Sequence, residues 1–346
     1  MDKINHVLSP YDGRPHVFVL GAGASRAACP KGDVRGCTLP LMNDLVDVAG
    51  LGSVFKEYGV AHETRDFEAL YSELAASGRH QELLAELEGT VFAYFASLSL
   101  PDTPTLYDHL VLSLRPKDMI ATFNWDPLLW QALMRNAERF GPGILPAALH
   151  LHGNVAIGYC GRHKPATLGD RRSRCLKCGS GFVPIRLLYP VTKKNYSDDP
   201  SIATPWKEFQ RFLKHAYILT IFGYSAPETD VKAIEMMKQG WGDPASRGLE
   251  QTEIIDIRPE NELLENWKPF IHTHHYLTTE SFYDCFAARH PRRSCEDLWE
   301  AVMQLYPQPD RRIPRLADWG QVENWVRPLL EQEREYDEKQ KQRGGN

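Results

Sequence analysis

Apolar positions along this chain follow two rhythms. Short runs rich in β-branched residues stop at glycine or polar clusters, and longer stretches repeat apolar residues every three to four positions. The runs Val17–Leu20, Met119–Thr122, Ala147–Leu151, Tyr217–Phe222 and Glu253–Ile257 read as strands of a buried parallel sheet. Helical spacing marks Leu41–Val48, Thr105–Leu114 and Leu128–Arg139, and a helix start at Ser25–Cys29. Phe67, Leu70, Tyr71 and Leu74, then Leu83, Leu84, Leu87, Val91 and Phe95, predict a helical insertion broken near Ser77-Gly78. Strands alternating with helices predict an α/β fold with a doubly wound parallel sheet. Each polar cluster follows a strand, so all of them converge on one crevice at the carboxyl ends.

Composition narrows the function classes. The chain has 346 residues, enough for one large domain with insertions or two small ones, and its net charge of −5 and 42% hydrophobic residues are ordinary for a globular protein. A net acidic chain argues against a phosphate backbone as its main partner, so direct nucleic-acid binding is not expected. There is no run of 18 apolar residues, hence no expected membrane span, and the N-terminal stretch lacks the apolar segment of a signal peptide. Seven unevenly spread cysteines fit a reducing cytoplasm better than a disulfide framework.

The stretch HVFVLGAGASRAA, residues 16–28, joins a strand to a helix through Gly21, Ala22 and Gly23, with Ser25 next. Such a turn lets a pyrophosphate approach backbone N–H groups. The full dinucleotide fingerprint is incomplete: Arg26 replaces its third glycine, and the acidic residues about 20 positions on, Asp44 and Asp47, fall in an expected helix. Further clusters follow the later strands. These are Thr122-Phe123-Asn124-Trp125-Asp126, Leu151-His152-Gly153 and Gly223-Tyr224-Ser225, with Asp256 ending the last run. Read alone, Asn124 and Asp126 can be a turn and helix cap, and His152 a core histidine.

Taken in order, Gly-Ala-Gly-Ala-Ser, Thr-Phe-Asn-Trp-Asp, His-Gly and Gly-Tyr-Ser resemble the motifs of the sirtuin superfamily, over about residues 17 to 260. The resemblance implies a Rossmann-like fold that binds NAD+ as a substrate and cleaves its nicotinamide–ribose bond. It implies that Gly21, Ala22, Gly23 and Ser25 hold the pyrophosphate. Asn124 and Asp126, with Thr122 and Phe123, would lie by the nicotinamide and its ribose. His152 would be the general base on a hydroxyl or water. Gly223, Tyr224 and Ser225 would hold the adenine side, and Asp256 the adenosine ribose. A histidine near its ordinary pKa of ~6.5 suits that base role.

Cys160-Gly-Arg-His163, eleven residues, then Cys175-Leu-Lys-Cys178 has the pairing of a closed, structural zinc site. The family often carries such a module after its His-Gly, with four cysteines, so His163 is a departure. The flanking Arg162, Lys164, Arg171, Arg172 and Arg174 read as a solvated face. Cys29, Cys37, Cys285 and Cys295 read as buried small residues, and His272, His274 and His275 as structural residues alternating along a strand.

The sequence lacks the Gly-Ile-Pro-Asp-Phe-Arg stretch of protein deacylases. Its Thr38-Leu39-Pro40-Leu41 and Phe67-Glu68 instead resemble the prokaryotic sirtuin-like NAD hydrolases that deplete NAD+ in antiviral defence. The expectation is an NAD+ glycohydrolase, with a protein-lysine deacylase and a non-catalytic NAD or ADP-ribose sensor as alternatives. The expected organisation is one catalytic domain over 1–330, including a helical insertion at 45–115 and a zinc-binding module at 155–190. A charged tail follows at 331–346. Restraint of such an activity implies a homo-oligomer or a regulatory protein partner.

Overall fold

The computed structural model describes residues 13–60, 66–163, 167–191, 194–303 and 309–344. The N-terminal stretch read above for a leader, and Lys164, lie outside them.

Strands β1 (His16–Leu20), β2 (Met119–Thr122), β3 (Ala147–His150), β7 (Ile218–Phe222), β8 (Gln251–Ile255) and β9 (Tyr276–Thr279) form a sheet in the order β3-β2-β1-β7-β8-β9. Every neighbouring pair is parallel. The order reverses between β1 and β7. That is the topological switch point where a doubly wound sheet opens a crevice at its carboxyl edge. The α/β doubly wound expectation holds, with one strand more than the five read from sequence. The missed strand, β9, is the half-exposed edge run Tyr-Leu-Thr-Thr, whose weak hydrophobicity hid it. His272, His274 and His275 lie in the turn before it and not on a strand, with His275 N–H bonded to the His272 carbonyl.

Alternation within the strands builds two cores. Phe18, Leu20, Ile120, Phe222 and Ile255 face one side. Val17, Val19, Met119, Ala121, Leu219, Ile221 and Ile254 face the other. On the first side lie α1 (Ala22–Ala28), α2 (Leu45–Val48), α3 (Leu51–Glu57), α4 (Phe67–Ser77), α5 (Gln81–Ser97), α6 (Leu106–Ser113) and α7 (Leu128–Phe140). On the second lie α8 (Pro200–His215), α9 (Val231–Trp241) and α10 (Glu260–Trp267). With both faces covered, the strands read as continuous apolar runs.

Helix boundaries follow local chemistry. Gly78 sits at φ 66° and ends α4, where the sequence expected a break. Thr105 and Asp108 form a capping box that starts α6. The expected helix 41–48 shrinks to four residues, because Leu41 N–H bonds the Asp44 carboxylate and folds 41–44 as a turn. After α11 (Phe286–Arg289) and α12 (Ser294–Met303), α13 runs from Trp319 to Gly344 without a break at 331. Its Val322 and Val326 are fully buried in the first core. No helix among the described residues is long and apolar enough to cross a membrane.

Candidate functional site

The crevice is a cavity of about 750 Å³ at the switch point. It is lined by Gly21, Ala22, Gly23, Ser25, Phe123, Asn124, Asp126, His152, Gly223, Tyr224, Ser225 and Asp256. Of the residues proposed for NAD+ from sequence, Thr122 is not part of its lining. That side chain instead accepts the Asn124 N–H at 3.0 Å and shapes the turn after β2.

The glycines also serve the packing of two turns against each other. A Cβ on Gly21 would overlap the Gly223 carbonyl and Tyr224, and one on Gly23 would stand 2.8 Å from Gly223 Cα. Gly21 N–H donates to the Phe222 carbonyl and Gly23 N–H to the Gly223 carbonyl, both at 3.0 Å. The missing side chains therefore let the turn after β7 interlock with the turn after β1. Gly223 itself takes a left-handed φ of 59°. Two of the three residues that break the dinucleotide fingerprint pair with each other: Arg26 Nη2 contacts Asp44, and Arg26 Nε donates to the Leu39 carbonyl at 2.8 Å. This fastens the Leu39-Pro40-Leu41 wall of the cavity to α1.

Ser25, Asn124 and Asp126 form one buried network. Asn124 Nδ2 donates to the Gly21 carbonyl at 2.8 Å and to Ser25 Oγ at 2.9 Å. Ser25 Oγ donates to Asp126 Oδ2 at 2.7 Å and shares a 2.7 Å bond with Tyr107 Oη. Asp126 Oδ1 accepts the Leu128 N–H at 3.0 Å and starts α7. Both oxygens of Asp126 are thus engaged inside the protein, and burial raises its pKa against those hydrogen bonds. The amide nitrogen of Asn124 is consumed by the turn, so the group it offers a ligand is Oδ1.

His152 projects from the turn after β3. Gly153 beside it has φ 80° and packs where a Cβ would meet the Arg186 carbonyl. Phe123 stands edge-on to the imidazole at 4.7 Å and stacks on Tyr224 at 4.2 Å. Burial pushes the imidazole pKa down to about 4, with Asp230 opposing and Lys194 reinforcing. The near-ordinary pKa expected from sequence is thus corrected. The ring is a neutral, weak base at pH 7, because a buried imidazolium loses its hydration.

Asp230 and Lys194 escaped the sequence reading, as did Tyr107 and Tyr196, which lie outside the strand-end motifs. Asp230 Oδ1 is 3.8 Å from His152 Nε2 and ion-pairs with Lys194. Its other oxygen accepts from Tyr224 Oη at 2.7 Å. Burial disfavours its charge, but His152, Lys194 and Tyr224 outweigh that and hold its pKa below the usual value. Lys194 also donates to Thr229 Oγ1 at 3.3 Å, and Thr229 Oγ1 donates to Glu68 at the start of α4. Asp256 lies one residue beyond β8 and is clamped by Arg258 at 2.9 Å.

Cys160, His163, Cys175 and Cys178 come together away from the cavity, their ligand atoms all within 4.8 Å of one another. Cys160 Sγ and Cys178 Sγ are 3.6 Å apart, and Cys175 Sγ and His163 Nε2 are 3.4 Å apart. A tetrahedral zinc with bonds of ~2.3 Å to sulfur and ~2.0 Å to nitrogen needs edges of about 3.8 and 3.5 Å. The donor set and its spacing fit that ion, with His163 as the fourth ligand. The Ser180 hydroxyl and N–H hold the Cys178 thiol down at about 6. An ion held there would tie the end of β4 (Ile157–Cys160) to the Cys175–Cys178 turn within the antiparallel sheet β5-β4-β6, whose other strands are β5 (Thr167–Asp170) and β6 (Val183–Pro184). Of the arginines expected on a solvated face, Arg162, Arg172 and Arg174 are exposed, while Arg171 is partly buried against α5. Arg171 lies 5.0 Å over the Phe92 ring, and Arg172 donates to the Ala96 carbonyl at 3.4 Å.

No protein-family model and no curated protein matches the chain. Solved structures match over most of its length at low identity. One is a complex of a Sir2 homologue with NAD (15% identity, 83% of this chain and 89% of that one, TM-score 0.39). Another comes from a study of sirtuin substrate affinity (17%, 83% and 97%, TM-score 0.41). A third is Sir2 bound to acetylated peptide (14%, 85% and 94%, TM-score 0.35).

Proposed function

We propose that this chain is a sirtuin-like NAD+ glycohydrolase that releases nicotinamide and ADP-ribose with water as nucleophile. The observation that carries the reading is the company His152 keeps at the crevice. A buried, neutral imidazole stands beside Tyr196, Asp230 and Lys194, with Thr229 and Glu68 behind. Buried charges and hydroxyls suit water and ribose hydroxyls. Beside the imidazole itself they leave little apolar wall for the aliphatic stem of an acyl-lysine, although the cavity further out is apolar at Leu39, Pro40, Met42 and Phe95.

In this reading the interlocked turns of Gly21, Ala22, Gly23 and Ser25 face the pyrophosphate. Gly223, Tyr224, Ser225 and Asp256 take the adenosine half. Asn124 Oδ1 accepts a hydroxyl or water proton, and Asp126 keeps Ser25 and Asn124 in register. Leaving of nicotinamide builds positive charge on the ribose, which the Glu68 carboxylate, on the His152 side of the cavity, would stabilise. The Cys160–His163–Cys175–Cys178 module would hold a structural zinc remote from the reaction. Such an enzyme drains NAD+, which fits an effector in prokaryotic antiviral defence restrained in the cytoplasm by assembly or a protein partner.

Chromatography of NAD+ incubated with the protein tests it, with and without an acetyl-lysine peptide. ADP-ribose and nicotinamide from NAD+ alone are expected. O-acetyl-ADP-ribose formed only with peptide would establish the deacylase instead. NAD+ retained without turnover would establish the sensor.

A further inference from the structure

The groups around His152 treat its two nitrogens differently. Nε2 lies 3.1 Å from Tyr196 Oη and 3.8 Å from Asp230 Oδ1. Nδ1 has no hydrogen-bond partner among the described residues. Tyr196 is itself fixed, its ring packed against Trp206 at 4.9 Å and against the imidazole at 5.8 Å. Asp230 is 3% exposed and anchored by Lys194 and Tyr224. The titratable groups facing the ring are therefore Tyr196, Asp230 and Lys194, with Tyr224 and Glu68 one contact further out.

We propose that Tyr196 and Asp230 are positioning residues that hold the Nε2–H of His152, so that Nδ1 is the nitrogen that takes the substrate proton. A neutral imidazole donates at one nitrogen and accepts at the other, and the partner of the first fixes the tautomer. A carboxylate beside Nε2 favours the proton there. When a water or ribose O–H breaks, an N–H forms at Nδ1 and the oxygen keeps the electron pair. The ring then carries a positive charge, and Asp230 stands 3.8 Å away as its counter-ion. Lys194 keeps that carboxylate ionised in the resting state but opposes charge on the ring. Asp230 and Lys194 thus act on the imidazole with opposite sign.

The kinetic part rests on the NAD+ hydrolase reading; the tautomer does not. Two-bond 1H–15N correlation spectra of histidine-labelled protein should show His152 protonated at Nε2 and bare at Nδ1. A wild-type Nδ1–H tautomer overturns the proposal and needs no variant. In pH profiles of kcat/KM for NAD+, Lys194→Met should move the acidic limb to higher pH. Asp230→Asn should move it lower and cut kcat by ~10–100-fold with KM little changed. Limbs moving in the same direction, or not at all, overturn the proposal. Should Asp230→Asn not fold, Tyr196→Phe serves, with a smaller loss of kcat and a mixed tautomer. If no ADP-ribose forms, the spectra still decide the tautomer, and only the functional reading falls.

Discussion

The Ser25 hydroxyl donates to Asp126 Oδ2 at 2.7 Å, joining the turn after β1 to the turn after β2 across a span of 101 residues. The same carboxylate takes the Leu128 N–H at 3.0 Å, so one buried side chain starts α7 and fixes the glycine turn. Asp126→Ala removes both acceptors and leaves two buried donors. The expected loss of stability is about 2–3 kcal/mol, read by urea denaturation. A change below 0.5 kcal/mol would mean that the network is not formed.

Metal content tests the cysteine module. One zinc per chain is expected by elemental analysis, and Cys175→Ser should lose it. The Gly- and Arg-rich segment 157–184 has little core of its own, so removing zinc with a chelator should open it to protease while the parallel sheet stays folded. Full protection after chelation would contradict a structural metal.

Glu253, 1% exposed on β8, has its pKa raised from 4.5 to about 7 by burial, against bonds from Thr220 Oγ1 and Phe286 N–H. The folded state therefore binds a proton that the unfolded state has released between those values. Its contribution is fully present below about pH 4.5 and is lost as pH rises through about 7. Wild-type stability should fall by up to about 3 kcal/mol relative to Glu253→Gln between pH 5 and 8. Parallel curves for the two proteins would show that Glu253 is ionised throughout.

The C-terminal helix is more than a solvated tail. Glu333 bridges Arg115 at 3.1 Å and Arg292, which is 3% exposed at a left-handed φ of 63° and also donates to the Leu114 carbonyl at 2.7 Å. Glu333→Ala leaves that buried guanidinium without its carboxylate. A cost of about 2–3 kcal/mol is expected, lowered by the carbonyl partners that remain. Truncation after residue 331 should cost at least as much in thermal melting. A truncated protein as stable as the full chain would show that the segment adds nothing to the fold.

How much of this was legible depended on the range of the interactions. Val17–Leu20 and Tyr217–Phe222 announced themselves because both sheet faces are covered, which makes the runs uniformly apolar. The break near Ser77-Gly78 and the helix over Thr105–Leu114 were legible because Gly78, and the Thr105–Asp108 capping box that the sequence reading did not name, set those ends through local contacts. Tyr276–Thr279 was missed because an edge strand buries little, and the neighbouring histidines were misplaced with it. In the crevice, the strand-end clusters revealed Asn124, Asp126 and His152. Nothing local marks Lys194, which reaches Asp230 from 36 residues away, or Tyr107, which meets Ser25 from 82 away. The depressed pKa of His152 was equally invisible, since burial is a property of the packed fold.

The central claim is that this crevice hydrolyses NAD+ with His152 as its base. The most direct measurement is ADP-ribose released from NAD+ by the wild-type protein, with His152→Ala and Asn124→Ala beside it. The expected result is steady release by the wild type, lowered at least ~100-fold in both variants while their melting curves remain cooperative. Equal release by wild type and His152→Ala would contradict the account.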